Sequence, residues 1–146
     1  MVEIDYTFKV PKHNTLKLGK IFDLDTISTD TYKLIILSSI TGLVLNNLDK
    51  FDTAMEAFES NPANYERTTV GLQLTETTNG YRIEVAGATA TIPIVDATIA
   101  GVLIIKESTG DILCADLTPV LTNQTSDMTL LFKSALWEIG EQVCTG

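Results

Sequence analysis

Residues 68–85, TTVGLQLTETTNGYRIEV, decide what kind of fold this chain builds. On both sides of Asn79-Gly80 apolar and polar residues alternate, and a period of two is the mark of a strand with one face buried. Asn-Gly is a strong two-residue turn, because a type I′ turn needs positive φ at both central positions. Closing the chain on that pair sets Thr78 opposite Tyr81, Glu76 opposite Ile83 and Leu74 opposite Val85. Val70, Leu72 and Leu74 then share a face with Tyr81, Ile83 and Val85, while Thr75, Thr77, Arg82 and Glu84 point away. A slip of one residue would turn the whole apolar set to the other side. The stretch predicts an antiparallel hairpin.

Working outward, the same reading continues. Residues 31–38 (TYKLIILS) predict a strand whose Leu34, Ile35, Ile36 and Leu37 put apolar groups on both faces. Residues 88–95 predict another, with Pro93 marking an edge or a bulge. Residues 98–106 and 111–117 predict a second hairpin. If Thr109-Gly110 is its turn, Ile105 faces Cys114 and Ile104 faces Ala115, with Val102, Ile104, Leu113 and Ala115 on one side and Leu103, Ile105, Ile112 and Cys114 on the other. A last strand is expected near residues 128–133, followed by Trp137 and Ile139. One helix is expected over residues 49–60 (DKFDTAMEAFES), where Phe51, Met55 and Phe58 recur at helical spacing before Asn61-Pro62 ends it. The chain holds 21 threonines, and β-branched side chains fit a pleated surface better than a helix. The expected fold is mainly β: a single antiparallel β-sandwich domain over residues 31–146, with one short helix and an extended N-terminal arm over residues 1–30.

With 146 residues, 45 % apolar and 20 % charged, and a mean hydropathy of +0.18, the chain can bury a core without disulfide staples. No apolar run reaches the ~18 residues of a membrane span. The net charge is −9, which disfavours a phosphate backbone as partner. The charge is uneven. Residues 1–20 carry Lys9, Lys12, Lys17 and Lys20 against Glu3 and Asp5, a balance of +2 that leaves −11 for the remainder. A basic arm ahead of an acidic body suits docking on an acidic neighbour, such as another copy's body. The acidic opening MVEIDYTFKV lacks a signal peptide's apolar core, so both Cys114 and Cys144 are expected to be free thiols, Cys114 as a small core filler.

Catalytic constellations are scarce. The single histidine, His13, lies in the irregular arm, which argues against a Ser/His/Asp triad or a Cys/His dyad. Phosphate-cradling and zinc-protease motifs are missing. Asp23, Asp25 and Asp30 alternate in a way that could offer oxygens to Ca²⁺, but the loop lacks the glycine and the distal glutamate of a calcium-binding loop, so no metal is expected. Asp52, Glu56 and Glu59 read as a solvated helix face, and Tyr65, Tyr81 and Trp137 are the candidates for a ligand-binding surface. Neither enzymatic activity nor a cofactor is expected. What the chain has in surplus is strands that are apolar on both faces. A helix of about three turns spans only ~18 Å, so a subunit contact is expected to cover the rest, with Leu103 and Ile105 at a subunit or layer boundary.

The run Ile21-Phe22-Asp23-Leu24-Asp25, followed by Asp30-Thr31-Tyr32-Lys33-Leu34-Ile35-Ile36-Leu37-Ser38-Ser39, resembles the opening of a family of tailed-bacteriophage structural proteins. In that family a hairpin of the form A-x-x-x-I-Y-K-x-T-G-x-x-L follows, and residues 100–113, AGVLIIKESTGDIL, stand in the corresponding place. Residues 64–71 depart from the family's glycine-rich stretch. The resemblance implies a virion component without enzymatic activity, assembled in the host cytoplasm. Joined to the small β domain, acidic body and docking arm, it leads to the expectation of a capsid decoration (cement) protein. Its partners would be the major capsid protein or other virion proteins and its own copies, most simply as a trimer, with neither nucleic acid nor membrane. A head-fibre, neck or tail adaptor is the alternative, and a carbohydrate-binding module a more distant one. Lys9, Lys12, Lys17 and Lys20, with Leu103 and Ile105, are the expected interaction residues.

Overall fold

The computed structural model describes residues 2–5, 29–44, 47–60, 65–78, 80–87, 89–92, 99–117, 128–131 and 137–140. Along the chain these form β1 (Val2–Asp5), β2 (Tyr32–Leu37), α1 (Thr53–Glu56), β3 (Thr68–Val70), β4 (Leu72–Thr77), β5 (Gly80–Val85), β6 (Thr89–Ile92), β7 (Gly101–Lys106), β8 (Ile112–Asp116), β9 (Met128–Leu131) and β10 (Trp137–Gly140). The molecule is mainly β. Its strands make a four-stranded sheet in the order β3-β2-β7-β8 and two three-stranded sheets, β10-β5-β4 and β1-β9-β6. All pairings are antiparallel except one: β1, inside the stretch read as an arm, runs parallel to β9 with Val2 opposite Met128.

The first hairpin forms, with its register moved by two residues. Thr77 pairs with Gly80, Leu74 with Ile83 and Leu72 with Val85, so Gly80 belongs to the strand rather than to the turn. The far end helps to set this, because the Ala86 amide donates to the Gly71 carbonyl at 2.9 Å and β10 adds a third strand with Ile139 opposite Tyr81. A shift of two preserves faces. Leu72, Ile83 and Val85 are buried while Gln73, Thr75 and Arg82 are exposed. Val70 leaves the hairpin altogether. It pairs with Tyr32 in β2, and the chain passes from one sheet to another at Gly71.

The second hairpin is displaced instead by two residues at Ile105 and by one from Ile104 onward. Lys106 and Asp111 close it, the Lys106 amide donating to Asp111 O at 2.9 Å. The loop of Glu107, Ser108, Thr109 and Gly110 is longer than a two-residue turn, and Gly110 takes the positive φ of +75° that a side chain would resist. Ile105 pairs with Ile112 but Ile104 pairs with Cys114 and Leu103 with Ala115, and a bulge accounts for the extra residue. Cys114 therefore joins Val102 and Ile104, and Ala115 joins Leu103 and Ile105, the reverse of the sequence expectation for those two positions.

The expected helix over residues 49–60 shrinks to the four residues of α1. Asp52 caps it, accepting from the Met55 amide at 3.1 Å. Both flanks are drawn into β-type bonds with the four-stranded sheet. Phe51 N donates to Gly110 O (2.8 Å) and Ile112 N to Asp49 O (2.9 Å) beside β8. Ser38 N donates to Phe58 O (2.8 Å) and Ser60 N to Ile36 O (2.9 Å) beside β2. Tertiary bonds override a short helical period. Residues 48–60 thus form a strap from the edge strand β8 to β2, crossing one face of the sheet.

That crossing resolves the two-sided strands. On one face Tyr32, Leu34, Ile36, Val102 and Ile104 gather in a cluster with Leu72, Ile83 and Val85 from β4 and β5, and with Ala90, Ile92 and Leu130 from β6 and β9. On the other face Ile35, Leu37, Leu103, Ile105, Ile112 and Ala115 cluster with Leu48 and Met55 of the strap, and Phe51 and Phe58 pack against them. Each fully buried Leu, Ile or Met contributes roughly 1.5–3 kcal/mol by removal from water. The strap therefore closes a face that the sequence reading had assigned in part to a companion subunit.

Candidate functional site

At the β2 end of the strap the antiparallel bridge of Glu59 to Leu37 brings Glu59 to residues 65–67, which lead into β3. Glu59 accepts two parallel bonds from one guanidinium: Arg67 Nε to Oε2 at 2.8 Å and Arg67 Nη2 to Oε1 at 2.8 Å. This bidentate geometry is the strong form of the ion pair. The Tyr65 hydroxyl donates to Glu59 Oε2 at 2.9 Å and accepts from the Ile36 amide at 3.1 Å. Since β3 pairs with β2 only as far as Leu34, the phenol satisfies a backbone donor that the strand ladder leaves open. The Arg67 guanidinium also lies 5.1 Å from the centre of the Phe51 ring, a cation–π distance. One side-chain cluster thus ties the strap's ring, its terminal carboxylate and the central strand together.

Burial drives the Tyr65 phenol well above its ordinary value; the Ile36 amide works against this and the negative charge of Glu59 adds to it. The hydrogen bonds to Glu59 raise the Arg67 guanidinium further, against a smaller cost of burial. The cluster therefore offers a neutral phenol and a permanent cation at neutral pH, which suits holding and recognition rather than proton exchange. Beside it opens a groove of about 460 Å³ lined by Glu56, Glu59, Ser60, Tyr65, Glu66 and Arg67. A second depression of about 400 Å³ lies under the start of the strap and includes Asp49, Lys50, Asp52 and Met55.

The residues singled out in the sequence fall in several places. Lys9, Lys12, Lys17 and Lys20 lie outside the described residues, as do His13, Asp23, Asp25 and Cys144. Leu103 and Ile105 are 0 % and 4 % exposed within the single chain. Their boundary is the one between the sheet and its own strap, so they offer no surface to a partner. Asp30 pairs with the buried Lys106 at 3.3 Å, an ion pair fastening the approach to β2 onto the end of β7. Among the described residues no group of three or more metal-ligating side chains comes together. Cys114 is a free, buried thiol whose ionisation burial pushes up. Among the described residues no helix is long and apolar enough to cross a membrane.

Tyr65, a candidate for a binding surface, is half-buried and spends its hydroxyl on Ile36 and Glu59. The backbones of Tyr81 and Trp137 lie in β5 and β10. Glu59, read as part of a solvated helix face, is instead the centre of the cluster. The missed signal was the pair Tyr65 and Arg67, two positions apart in an extended stretch and hence on one side of it. No family model, curated protein or solved structure matches this chain.

Proposed function

We propose that the chain is a structural component of a tailed-bacteriophage virion, a capsid decoration protein that ties neighbouring shell subunits together without catalysing a reaction. One observation carries the reading. Of the segments that bear the family resemblance, residues 21–25 lie outside the described residues, while residues 30–39 and residues 100–113 lie side by side as β2 and the β7–β8 hairpin, with β2 and β7 paired from Tyr32–Lys106 to Leu37–Gly101. The motif thus describes the centre of the largest sheet rather than two unrelated strands. The sandwich expected from the sequence belongs to the same proposal, with the β3-β2-β7-β8 sheet as one layer and the β4–β5 hairpin with β6 and β9 facing it.

Because the chain covers Leu103 and Ile105 itself, the contacts with shell and sister copies are assigned to the basic arm, Lys9 to Lys20, and to the polar exterior. Stable association needs an interface on the order of 1,600 Å², and a trimer lets a small protein reach several neighbours. Cryo-electron microscopy of the particle that carries this chain tests the reading. Copies spread over the whole head are expected. Copies confined to a single vertex, neck or tail, or no copies in the particle, would overturn it.

A further inference from the structure

Among the described strands β1 stands apart. It lies at the edge of its sheet, hydrogen-bonded to β9 alone, and it makes the one parallel pairing in an otherwise antiparallel set. The register runs from Val2–Met128 to Asp5–Leu131 and sets Ile4 opposite Leu130. Leu130 is buried in the strand-covered cluster, and its other ladder neighbour is Ala90 of β6. Without β1, the outer edge of β9 would present open amides and carbonyls beside that core, so the edge needs an occupant. A parallel strand cannot arrive through a tight turn. Residues 6–28, 23 in number, separate β1 from the described approach to β2. A chain of that length reaches at most about 80 Å, whereas a compact body of this size has a radius of gyration of about 15 Å and a width of about 40 Å. The connection is long enough to reach the next body.

We propose that β1 is exchanged between copies, the Val2–Asp5 strand of one copy pairing with β9 of the next. Exchanged and unexchanged pairings make the same bonds, so concentration and charge decide between them. A tether offers a strand its own β9 edge at an effective concentration on the order of millimolar. Bodies packed about 40 Å apart offer neighbouring edges at the same order, because one copy within a 40 Å radius is roughly 6 mM. Charge then tips the balance. Residues 1–20 carry +2 and the remainder −11. Passing the basic stretch that follows β1 to the next body offsets a repulsion between bodies that pairing within one chain leaves in place. Each copy gives one strand and takes one. The interface is therefore head-to-tail and closes as a ring, with the trimer the smallest ring beyond a reciprocal pair. The inference deepens the assembly reading above and rests on it only in requiring that copies pack side by side.

Disulfide trapping in the full chain tests it. One preparation carries Glu3→Cys and another Thr129→Cys, positions opposed in the β1–β9 register. Both also carry Cys144→Ser, and Cys114 is buried. Opposed Cα atoms about 5 Å apart suit a disulfide, and neither chain can close one between these positions by itself. Mixed at about 1 mM and oxidised, the two should give a joined pair at least about tenfold above a mixture of Glu3→Cys with Thr75→Cys, which reports collision alone. Thr75 is exposed on β4, a strand of another sheet. Asp5→Cys with Leu131→Cys repeats the test at a second register pair. A chain bearing both Glu3→Cys and Thr129→Cys should give covalent rings in excess of internally closed monomer. Yields no higher than the Thr75→Cys control at both register pairs, or internally closed monomer alone, would overturn the inference. Rings formed by a protein missing from particle heads leave the exchange standing and remove the decoration role. Copies covering the head whose doubly substituted chains close internally do the reverse.

Discussion

One face of the β3-β2-β7-β8 sheet, with Leu34, Ile36, Val102 and Ile104, is covered by strands. The other, with Ile35, Leu37, Leu103 and Ile105, is covered by a strap of thirteen residues of which only Thr53–Glu56 are helical. The two faces are equally apolar, yet their covers differ in kind. Strands are held by continuous ladders. The strap is held by four backbone bonds at its ends, by Met55, Phe51 and Phe58 beneath it, and by the Glu59–Arg67–Tyr65 cluster. An apolar face read from sequence therefore reports that a cover exists, and says nothing of whether it is a sheet, an irregular strap or another chain. Covers with few ladder bonds open first, so the difference has measurable consequences.

The largest effect separates adjacent residues of β7. Ile104→Ala and Leu103→Ala each remove a fully buried side chain, at a cost of about 2–5 kcal/mol. Ile104 packs against side chains from strands held in continuous ladders, which resist closing on a cavity, whereas Leu103 lies under a strap that can settle into the space. Urea unfolding should show Ile104→Ala as the more damaging by about 1 kcal/mol; equal losses would mean that the strap is as rigid as a sheet. Leu103→Lys should give unfolded or insoluble protein, because an unpaired charge is forced into a closed layer. A soluble, folded monomer would instead mark this face as an interface.

Next in size is the fastening. Tyr65→Phe takes the acceptor from Ile36 N and the donor from Glu59, and should cost about 1–3 kcal/mol. Hydrogen exchange should quicken at the Ser60 and Ser38 amides far more than at the β7–β8 ladder. A uniform change across the sheet would contradict a local fastening.

Alkaline pH probes both regions at once. Cys114 belongs to the strand-covered cluster and Tyr65 to the strap, and each is an acid whose folded value is raised by burial. Below the ordinary values of about 8.5 and about 10, both states keep the proton and stability does not depend on it. As pH rises through those values the unfolded chain releases protons that the folded chain retains, so stability falls. Denaturant unfolding across that range should show a first decline that Cys114→Ala removes and a later one that Tyr65→Phe removes. A flat profile would contradict the burial of both.

The smallest expected effect is at the strap's one turn of helix. Asp52→Ala removes the cap on Met55 N and should cost about 0.5–1 kcal/mol, seen as a small shift in the urea midpoint. A larger loss would make α1 itself, rather than the edge bonds, the element that holds the strap.

How far the sequence could be read follows from where the information is local. Alternation in residues 72–77 and 80–85 is local, and it identified both strands and their buried side even though the pairing moved by two. Cys114 and Ala115 exchanged faces because loop length and a bulge are set by the fit of β8 against β7 and the strap, which no single strand encodes. The period of Phe51, Met55 and Phe58 was real as an apolar stripe, but the backbone bonds at the strap's two ends, to Gly110, Ile112, Ser38 and Ile36, came from residues far along the chain. The fastening cluster was the least legible. Glu59, Tyr65 and Arg67 meet only because β2 runs out of partner strand after Leu34, a shortage that no spacing of charged residues announces.

Native-state hydrogen exchange at a series of protein concentrations tests most directly whether the chain closes its own second face. The amides of Phe51, Ser60 and Ile112 should be protected to the same degree at every concentration, because the strap that pairs with them belongs to the same chain. Protection that is lost on dilution, or amides that exchange freely throughout, would show that the face is completed by another molecule.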